Sequence, residues 1–484
     1  MHARIAVVPA AAYAEPGGQK DSFMCGGPSQ ASTSVHTPCF NEILPTRPAS
    51  PGKPDVKLDS YWTDSAQAFQ PHAAELPAQA DVVIVGAGFT GLSAARTLAQ
   101  RGAHVVVLEA CDRVAKEASG RNGGHVNNGL AVDYVVAAEQ YGVEQARAWY
   151  HEFDAAVDTV EQLVRDEGIA CDFQRNGKLK LATRPAHYEA LARSRERMVR
   201  EVDPDVELLD ARAVRDEIGS ERFVGGLLQR KSAQMHMGRF AAGLAAAAEK
   251  RGAQIHLNTP VLSLQRQGRG HEHVVHTPRG AIKARQVLLA TGASLHGGYG
   301  SFGWLRRRIV GIGSFIIVTE PLGAERANAL LAGRRTYVTI ANIHHYFRLT
   351  PDHRLVWGGR ARFAISSPTS DAKSGDILRQ GLEQTFPQLK GVGIDYCWGG
   401  LVDMSRDRLP HAGERDGLFY SLGYSGHGTQ MSVHMGQRMA ETLLGNATAN
   451  PWRDRPWPAI PGHVGPPWFL PAVGLYYRLK DMVS

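Results

Sequence analysis

The chain has 484 residues and a formal net charge of +7, with 43% hydrophobic and 21% charged residues. That balance excludes a coiled coil, a collagen and a wholly disordered chain. Lys and Arg are dispersed, with Arg306-Arg307-Arg308 the densest cluster, so no basic face or tail points to nucleic acid.

Residues 1–58 are rich in Pro, Gly, Ser and Ala without a sustained period, and read as a disordered leader or a misplaced start. Ala12-Tyr13-Ala14 is like a cleavage site, but Pro9 interrupts the short apolar stretch before it, so a secretory signal is not expected. From Ala80 the pattern sharpens. Asp81 to Val85 is a nearly continuous apolar run, as in a parallel strand buried on both faces. After a glycine turn, Thr90 to Gln100 places Leu92, Ala95, Leu98 and Ala99 at helical spacing. Gly102 ends that helix, and His104 to Leu108 is a second strand.

The pattern then predicts helix over 136–168, a strand from Lys178 to Thr183 and a charged helix from Ala186 to Val202. An Ala-rich helix from Phe240 to Lys250 leads through Gly252 into a strand from Gln254 to Leu257, and Gln286 to Ala290 is a further short strand. Ile309 to Thr319, Tyr346 to Leu349 and Leu355 to Trp357 suggest sheet, and Met431 to Leu444 a helix ended by Gly445. The tail carries Trp452, Trp457 and Trp468 among prolines, which reads as packing rather than a membrane anchor. No apolar run reaches the ~18 residues of a spanning helix. Five scattered cysteines without a C-x-x-C pair favour the cytoplasm over a disulfide or zinc framework. His271, His273 and His276 lack the carboxylates or thiols that would complete a metal site, and read as a solvated strand.

The turn Gly86-Ala87-Gly88-Phe89-Thr90-Gly91 follows a buried strand and opens a helix, and Glu109-Ala110 closes the next strand. In that context the pattern is a dinucleotide fingerprint. Gly86 permits the tight turn, Gly88 lets a pyrophosphate approach the backbone, and Gly91 lets helix and strand pack closely. The free N–H groups at the helix start, with Phe89 and Thr90, face the phosphates, and Glu109 can accept from ribose hydroxyls. No second fingerprint follows, since Gly311-Ile312-Gly313 lacks the third glycine and a helix. Ala290-Thr291-Gly292 resembles the later Ala-Thr-Gly motif of FAD enzymes, so FAD is expected rather than NAD.

Further blocks stand at Ser60-Tyr61-Trp62, Ala118-Ser119-Gly120-Arg121-Asn122-Gly123-Gly124, Trp398-Gly399-Gly400, Asp407-Arg408-Leu409-Pro410, Gly423-Tyr424-Ser425-Gly426-His427-Gly428-Thr429-Gln430 and Pro467-Trp468-Phe469-Leu470-Pro471. In their order and spacing they resemble the D-amino-acid-oxidase-like (glycine oxidase/sarcosine oxidase) FAD-dependent oxidoreductases, most of all the gamma-glutamylputrescine oxidoreductase branch. The resemblance implies an α/β protein: a Rossmann-like FAD-binding domain over 78–135, 225–300 and 401–447. An α+β, sheet-based substrate domain over 136–224 and 301–400 interleaves with it, and 448–484 forms a Pro/Trp-rich extension. It implies that Ser119, Arg121, Asn122, Gly123 and Gly124 lie near the isoalloxazine, and that Val261 meets the adenine. It also implies that Gly426, His427, Gly428, Thr429 and Gln430 start a helix aimed at the flavin pyrimidine, where N–H groups stabilise developing negative charge.

The family's chemistry is oxidation of a C–N bond: hydride passes from the carbon to flavin N5, and the imine hydrolyses. The implied substrate is a small-molecule amine. Sarcosine oxidase-like members bind an α-carboxylate with a lysine where this chain has Gln430; a neutral amide cannot replace that contact. A gamma-glutamylputrescine-like amine is therefore expected over a D-amino acid, glycine or sarcosine. A non-catalytic FAD-binding subunit is the reading from another class. Tyr346, Arg348 and His427 are the pocket candidates, Arg348 for a distant carboxylate or as a structural arginine, His427 for contact or for holding the turn. Cys397 does not match the spacing of a covalent flavin link. The electron acceptor, oxygen or a carrier, stays open, because no lysine stands between Arg354 and Trp357.

Overall fold

The computed structural model describes residues 56–72, 75–293, 303–340, 344–359, 368–464 and 467–483. The apolar run at Gln79–Val85 forms the middle of an eight-stranded sheet, flanked by Val105–Leu108 and Gly280–Leu289, both parallel to it. Gln254–His256 and Leu418–Leu422 continue the parallel order outward, and His411–Arg415 closes one edge antiparallel. A parallel strand covered on both faces has no face for polar side chains, which is why these strands read as unbroken Val and Leu.

A second sheet, also of eight strands, is mostly antiparallel and reads differently. Its order runs Ile394–Met404, Val310–Thr319, Leu355–Gly359, His345–Leu349, Thr336–Thr339, Lys178–Ala182, Gly225–Gln229, Glu207–Asp210. Along its strands alternate residues face opposite sides. Leu179, Leu181, Tyr337, Phe347 and Trp357 enter one apolar core, into which Leu378 and Leu382 of the helix Pro368–Thr385 also pack. Lys178, Lys180, Val338, Tyr346 and Arg348, which alternate with them, face the other way. That other side looks onto the larger core, which also gathers the helices Phe89–Gln100, Val143–Asp166 and Met237–Lys250.

The fingerprint helix, Phe89–Gln100, packs along a late helix, Gly428–Leu443. Gly436 makes this approach possible, since a Cβ there would stand 2.5 Å from the Thr90 carbonyl oxygen and 2.7 Å from Ser93 Cβ. The Ser93 hydroxyl donates to the Val433 carbonyl, and Arg101 pairs with Glu441. From Ser93 with Val433 to Arg101 with Glu441 the hydrogen bonds advance together along the two helices, so their N-termini lie at the same end.

The structure adds to and corrects the sequence reading in several places. The expected leader lies outside the described residues up to position 55, but Lys57 already bridges Tyr396 in parallel, so the fold begins before residue 58. The strand Gly225–Gln229, placed with the cofactor segments by resemblance, pairs in the second sheet with Lys178–Ala182. Ile394–Met404, the longest strand among those described, crosses the expected boundary at 400/401. His273 belongs to a strand, His273–Thr277, but is only 2% exposed rather than solvated. Trp452 and Trp457 are buried, Trp457 stacked on His411 at 4.3 Å, whereas Trp468 is 74% exposed. Among the described residues no helix is long and apolar enough to cross a membrane.

Candidate functional site

The fingerprint turn closes as its three glycines require. Gly86 has φ +105°, and a Cβ there would meet the Ala290 carbonyl oxygen at 2.8 Å. A Cβ at Gly91 would sit 2.0 Å from the Gly86 oxygen, whereas one at Gly88 would meet only the Ser119 hydroxyl, at 3.1 Å. Phe89 turns its ring inward, edge-on to Phe240, so only its backbone serves the turn. The Thr90 hydroxyl lies 2.9 Å from that of Tyr424. Glu109 accepts from the Ala87 N–H at 2.7 Å and the Cys111 N–H at 2.9 Å. Burial raises its pKa despite those bonds. Ala110 beside it is exposed.

Four further segments join this turn through direct contacts. Thr259 N–H donates to the Glu109 carbonyl, and Val261, two residues on, sits 3% exposed among the strands of the first sheet. Ala290 lies against Gly86, followed by Thr291 and then Gly292 at φ +56°. The Ser119 hydroxyl accepts from the Phe89 N–H at 3.2 Å. Asn122 bridges to the late helix: its side-chain Oδ1 accepts from Gly124 N–H at 2.9 Å and from the Thr429 hydroxyl at 3.3 Å. Arg121 donates to the Gly399 carbonyl, and its own carbonyl accepts from Trp398 at 2.9 Å. Gly426 has φ +93° and open space where a Cβ would stand, while Gly428 and Thr429 begin the helix. Residues from six separated stretches of sequence thus converge on one end of the first sheet.

FAD fits this cradle on the residues present. Neither helix is capped by its own N-cap side chain, and apart from the Phe89 N–H held by Ser119 this leaves N–H groups for an anion. The Thr291 hydroxyl and His427 Nδ1 are buried with no hydrogen-bond partner among the described residues. Buried polar atoms are seldom left so. His427 is held neutral, its pKa well below 6.5, by burial and by the charges of Lys178, Arg408 and Lys180.

The family matched by residues 81–442 is described as "FAD dependent oxidoreductase" (DAO). The chain belongs to that family. It is 32% identical to "Gamma-glutamylputrescine oxidoreductase" of Escherichia coli (strain K12) over 431 residues, which is 88% of this chain and 98% of the relative. It is 24% identical to "D-amino acid dehydrogenase" of Cereibacter sphaeroides over 417 residues, 76% of this chain and 92% of that one. Among solved structures, glycine oxidase from Geobacillus kaustophilus aligns with TM-score 0.62 at 21% identity, over 80% of this chain and 99% of that one. The chain is an FAD-dependent oxidoreductase, and FAD is its cofactor.

The substrate candidates take definite places. The Tyr346 ring fills the space over Gly358 and Gly123, where a Cβ would meet it at 2.3 Å and 2.8 Å, and its hydroxyl lies 2.9 Å from Ser314 Oγ. Of the two readings of Arg348, its contacts are those of a structural arginine. It is 2% exposed, donates to the carbonyls of Gly123 at 2.9 Å and Met235 at 2.7 Å, and stacks over Trp62 at 4.8 Å. Gln430 is 1% exposed, with its amide donated to the Asn127 carbonyl. Cys397 faces the far core of the second sheet, its thiol pushed up to about 12 by burial, away from the cradle.

Sequence reasoning missed three supports. Trp62 donates to the Asn122 carbonyl at 2.7 Å and Ser60 to that of Gly120 at 3.0 Å, so the Ser60-Tyr61-Trp62 block braces the 118–124 segment from behind. Lys178 is 3% exposed and donates to the Asn128 carbonyl at 2.7 Å. The alternation Lys178-Leu179-Lys180-Leu181 was the available signal, but a lysine-bearing strand face normally means solvent. Asp403, at the end of Ile394–Met404, accepts from Gly423 N–H at 2.6 Å and underlies the turn that leads to Gly426.

Burial raises the Asp403 carboxyl from 3.8 to about 6, against the N–H groups of Gly423, Tyr424 and Ser425. The folded state therefore favours the protonated form. The resulting stabilisation is full below pH 3.8 and is lost as pH rises through about 6. Between about pH 4.5 and 7 the wild type should lose ~2 kcal/mol relative to Asp403→Asn, measured by urea unfolding at both pH values. Equal pH slopes for the two proteins would remove the carboxyl from this account.

Proposed function

We propose that this enzyme oxidises the C–N bond of an amine of the gamma-glutamylputrescine class, giving an imine that water hydrolyses. The first sheet and its cradle would hold the cofactor, and the second sheet would cover it and shape the substrate site. Bound FAD supplies the hydride acceptor. Gly86, Gly88 and Gly91 would admit the pyrophosphate, Glu109 the ribose, and the N–H groups of Gly428 and Thr429 the negative charge that develops on the ring.

An amine must be uncharged to give up hydride from its adjacent carbon. An alkylammonium has a pKa near ~10.4 in water, so the site has to favour the neutral form. Lys178 shows what this side of the second sheet does to an amine: burial, then the charge of Lys180, hold it well below 10.5. Cationic Arg348 would act in the same direction on a bound amine, and neutral His427 adds no negative charge to oppose it.

One observation carries the choice of substrate. Gln430 is neutral, buried and committed to the Asn127 carbonyl, so the start of the late helix offers no cation for an α-carboxylate next to the reacting carbon. The similarity to "Gamma-glutamylputrescine oxidoreductase" over 98% of that relative supports the same reading. The test is anaerobic mixing of the purified flavoprotein with gamma-glutamylputrescine, glycine, sarcosine and D-alanine. Loss of flavin absorbance with the first alone is expected. Bleaching by the amino acids alone would overturn the reading, and peroxide on admitting air would identify oxygen as the acceptor.

A further inference from the structure

Gly358, Tyr346, Val338 and Lys180 are direct register neighbours on four adjacent strands of the second sheet. They form one straight row on the side that faces the larger core. Neighbouring strands stand ~4.8 Å apart, so the backbones of Tyr346 and Lys180 are separated by ~10 Å, with Val338 between them. At one end of this row the Tyr346 ring touches Gly123 of the cradle. At the other, Lys180 is half-buried and close enough to His427 to lower its basicity.

The two lysines of this strand are not equivalent. Lys178 is enclosed and donates to the Asn128 carbonyl. Lys180 has neither a hydrogen bond nor an ion pair among the described residues. A half-buried ammonium that no protein group pairs is open to a facing anion, and a charge-assisted contact there is stronger than one in open water. Arg348, on the same side of the sheet but outside this row, is committed to carbonyl oxygens.

We propose that Lys180 binds a carboxylate of the substrate at the end remote from the oxidised amine. This rests on the amine-oxidising reading above and deepens it. A diamine acylated by a γ-glutamyl group has the required form, with an amine at one end and an α-amino carboxylate at the other. Laid along the row, its amine end meets Tyr346 and Gly123 while its carboxylate reaches Lys180. Recognition of the anion has then moved from the position of Gln430 to the second sheet, which converts selection of a short amino acid into selection of a long amide.

Calorimetric titration of the holoenzyme with γ-glutamylbutylamide, which keeps the carboxylate but lacks the terminal amine, tests the site without turnover. Lys180→Met should weaken its binding by ~10- to 100-fold, and Lys180→Arg should restore most of it. The same Lys180→Met change should lower kcat/KM for gamma-glutamylputrescine relative to N-acetylputrescine, which has no carboxylate. An unchanged flavin spectrum and Tm establish that the variant is folded; if it misfolds, Lys180→Gln replaces it. Unaltered binding of γ-glutamylbutylamide, no binding by the wild type, or equal losses on both substrates would overturn the proposal. Should the wild type oxidise neither putrescine derivative yet bind γ-glutamylbutylamide through Lys180, the amine reading fails and the carboxylate site stands.

Discussion

Gly91→Ala is expected to yield a chain that purifies with little flavin and unfolds several degrees below the wild type. The added Cβ would stand 2.0 Å from the Gly86 oxygen and 3.2 Å from Ile84 Cγ2. The first neighbour is backbone, so no side chain can swing aside, and the helix must lift off its strand. Overpacking of this kind costs about 3 kcal/mol when a rigid contact has to give. The displaced helix also takes its N–H groups away from the phosphates. Gly88→Ala separates the two effects, because its Cβ meets only the Ser119 hydroxyl at 3.1 Å, a side chain that can turn. That variant should keep apoprotein stability within about 1 kcal/mol while losing flavin affinity, since the methyl group occupies the approach to the backbone. Flavin absorbance per chain and thermal unfolding of apo and holo forms are the measurements. A Gly91→Ala protein with full flavin and wild-type Tm would refute the packing argument.

The parts legible in the sequence share a physical cause. A buried parallel strand, a glycine turn and a helix at 79–100 are specified by neighbours in sequence, so pattern alone finds them. The helix Gly428–Leu443 was equally readable, whereas the single helix expected over 136–168 is two, Tyr134–Tyr141 and Val143–Asp166, broken at Gly142 with φ +88°. Ile394–Met404 was not, because its Trp398-Gly399-Gly400 stretch shows no alternation. Those glycines answer to tertiary neighbours instead: a Cβ at Gly400 would stand 3.2 Å from Arg121 Cβ. The candidate site divides in the same way. The fingerprint could be read directly, whereas Lys180 depends on register between strands at 178–182, 336–339 and 345–349, which local sequence does not encode. Arg348 shows the converse. Its position on a strand facing the site was readable, but its partners are carbonyls far away in sequence.

Arg348→Met is expected to cost about 3–5 kcal/mol of stability and to release flavin, not to raise KM alone. The guanidinium keeps its charge at neutral pH, with burial lowering its pKa only to about 10. It satisfies the carbonyls of Gly123 and Met235, with Gln234 Oε1 and the Leu349 carbonyl each at 3.4 Å. Methionine fills the volume of the stem over Trp62 but donates nothing, so two buried acceptors lose their strong partners at ~1–3 kcal/mol each. The Gly123 carbonyl belongs to the segment that carries the cradle, and a Cβ at Gly124 would lie 2.3 Å from Arg348 Nη2, so turn and guanidinium are fitted to each other. Loosening one frees the other. Arg348→Lys should rescue little, because a single ammonium cannot span carbonyls that a planar fork reaches together. Thermal unfolding, flavin content, and separate kcat and KM values distinguish this role from substrate binding. Stability within about 1 kcal/mol of wild type, together with a raised KM at constant kcat, would instead place the guanidinium against the substrate.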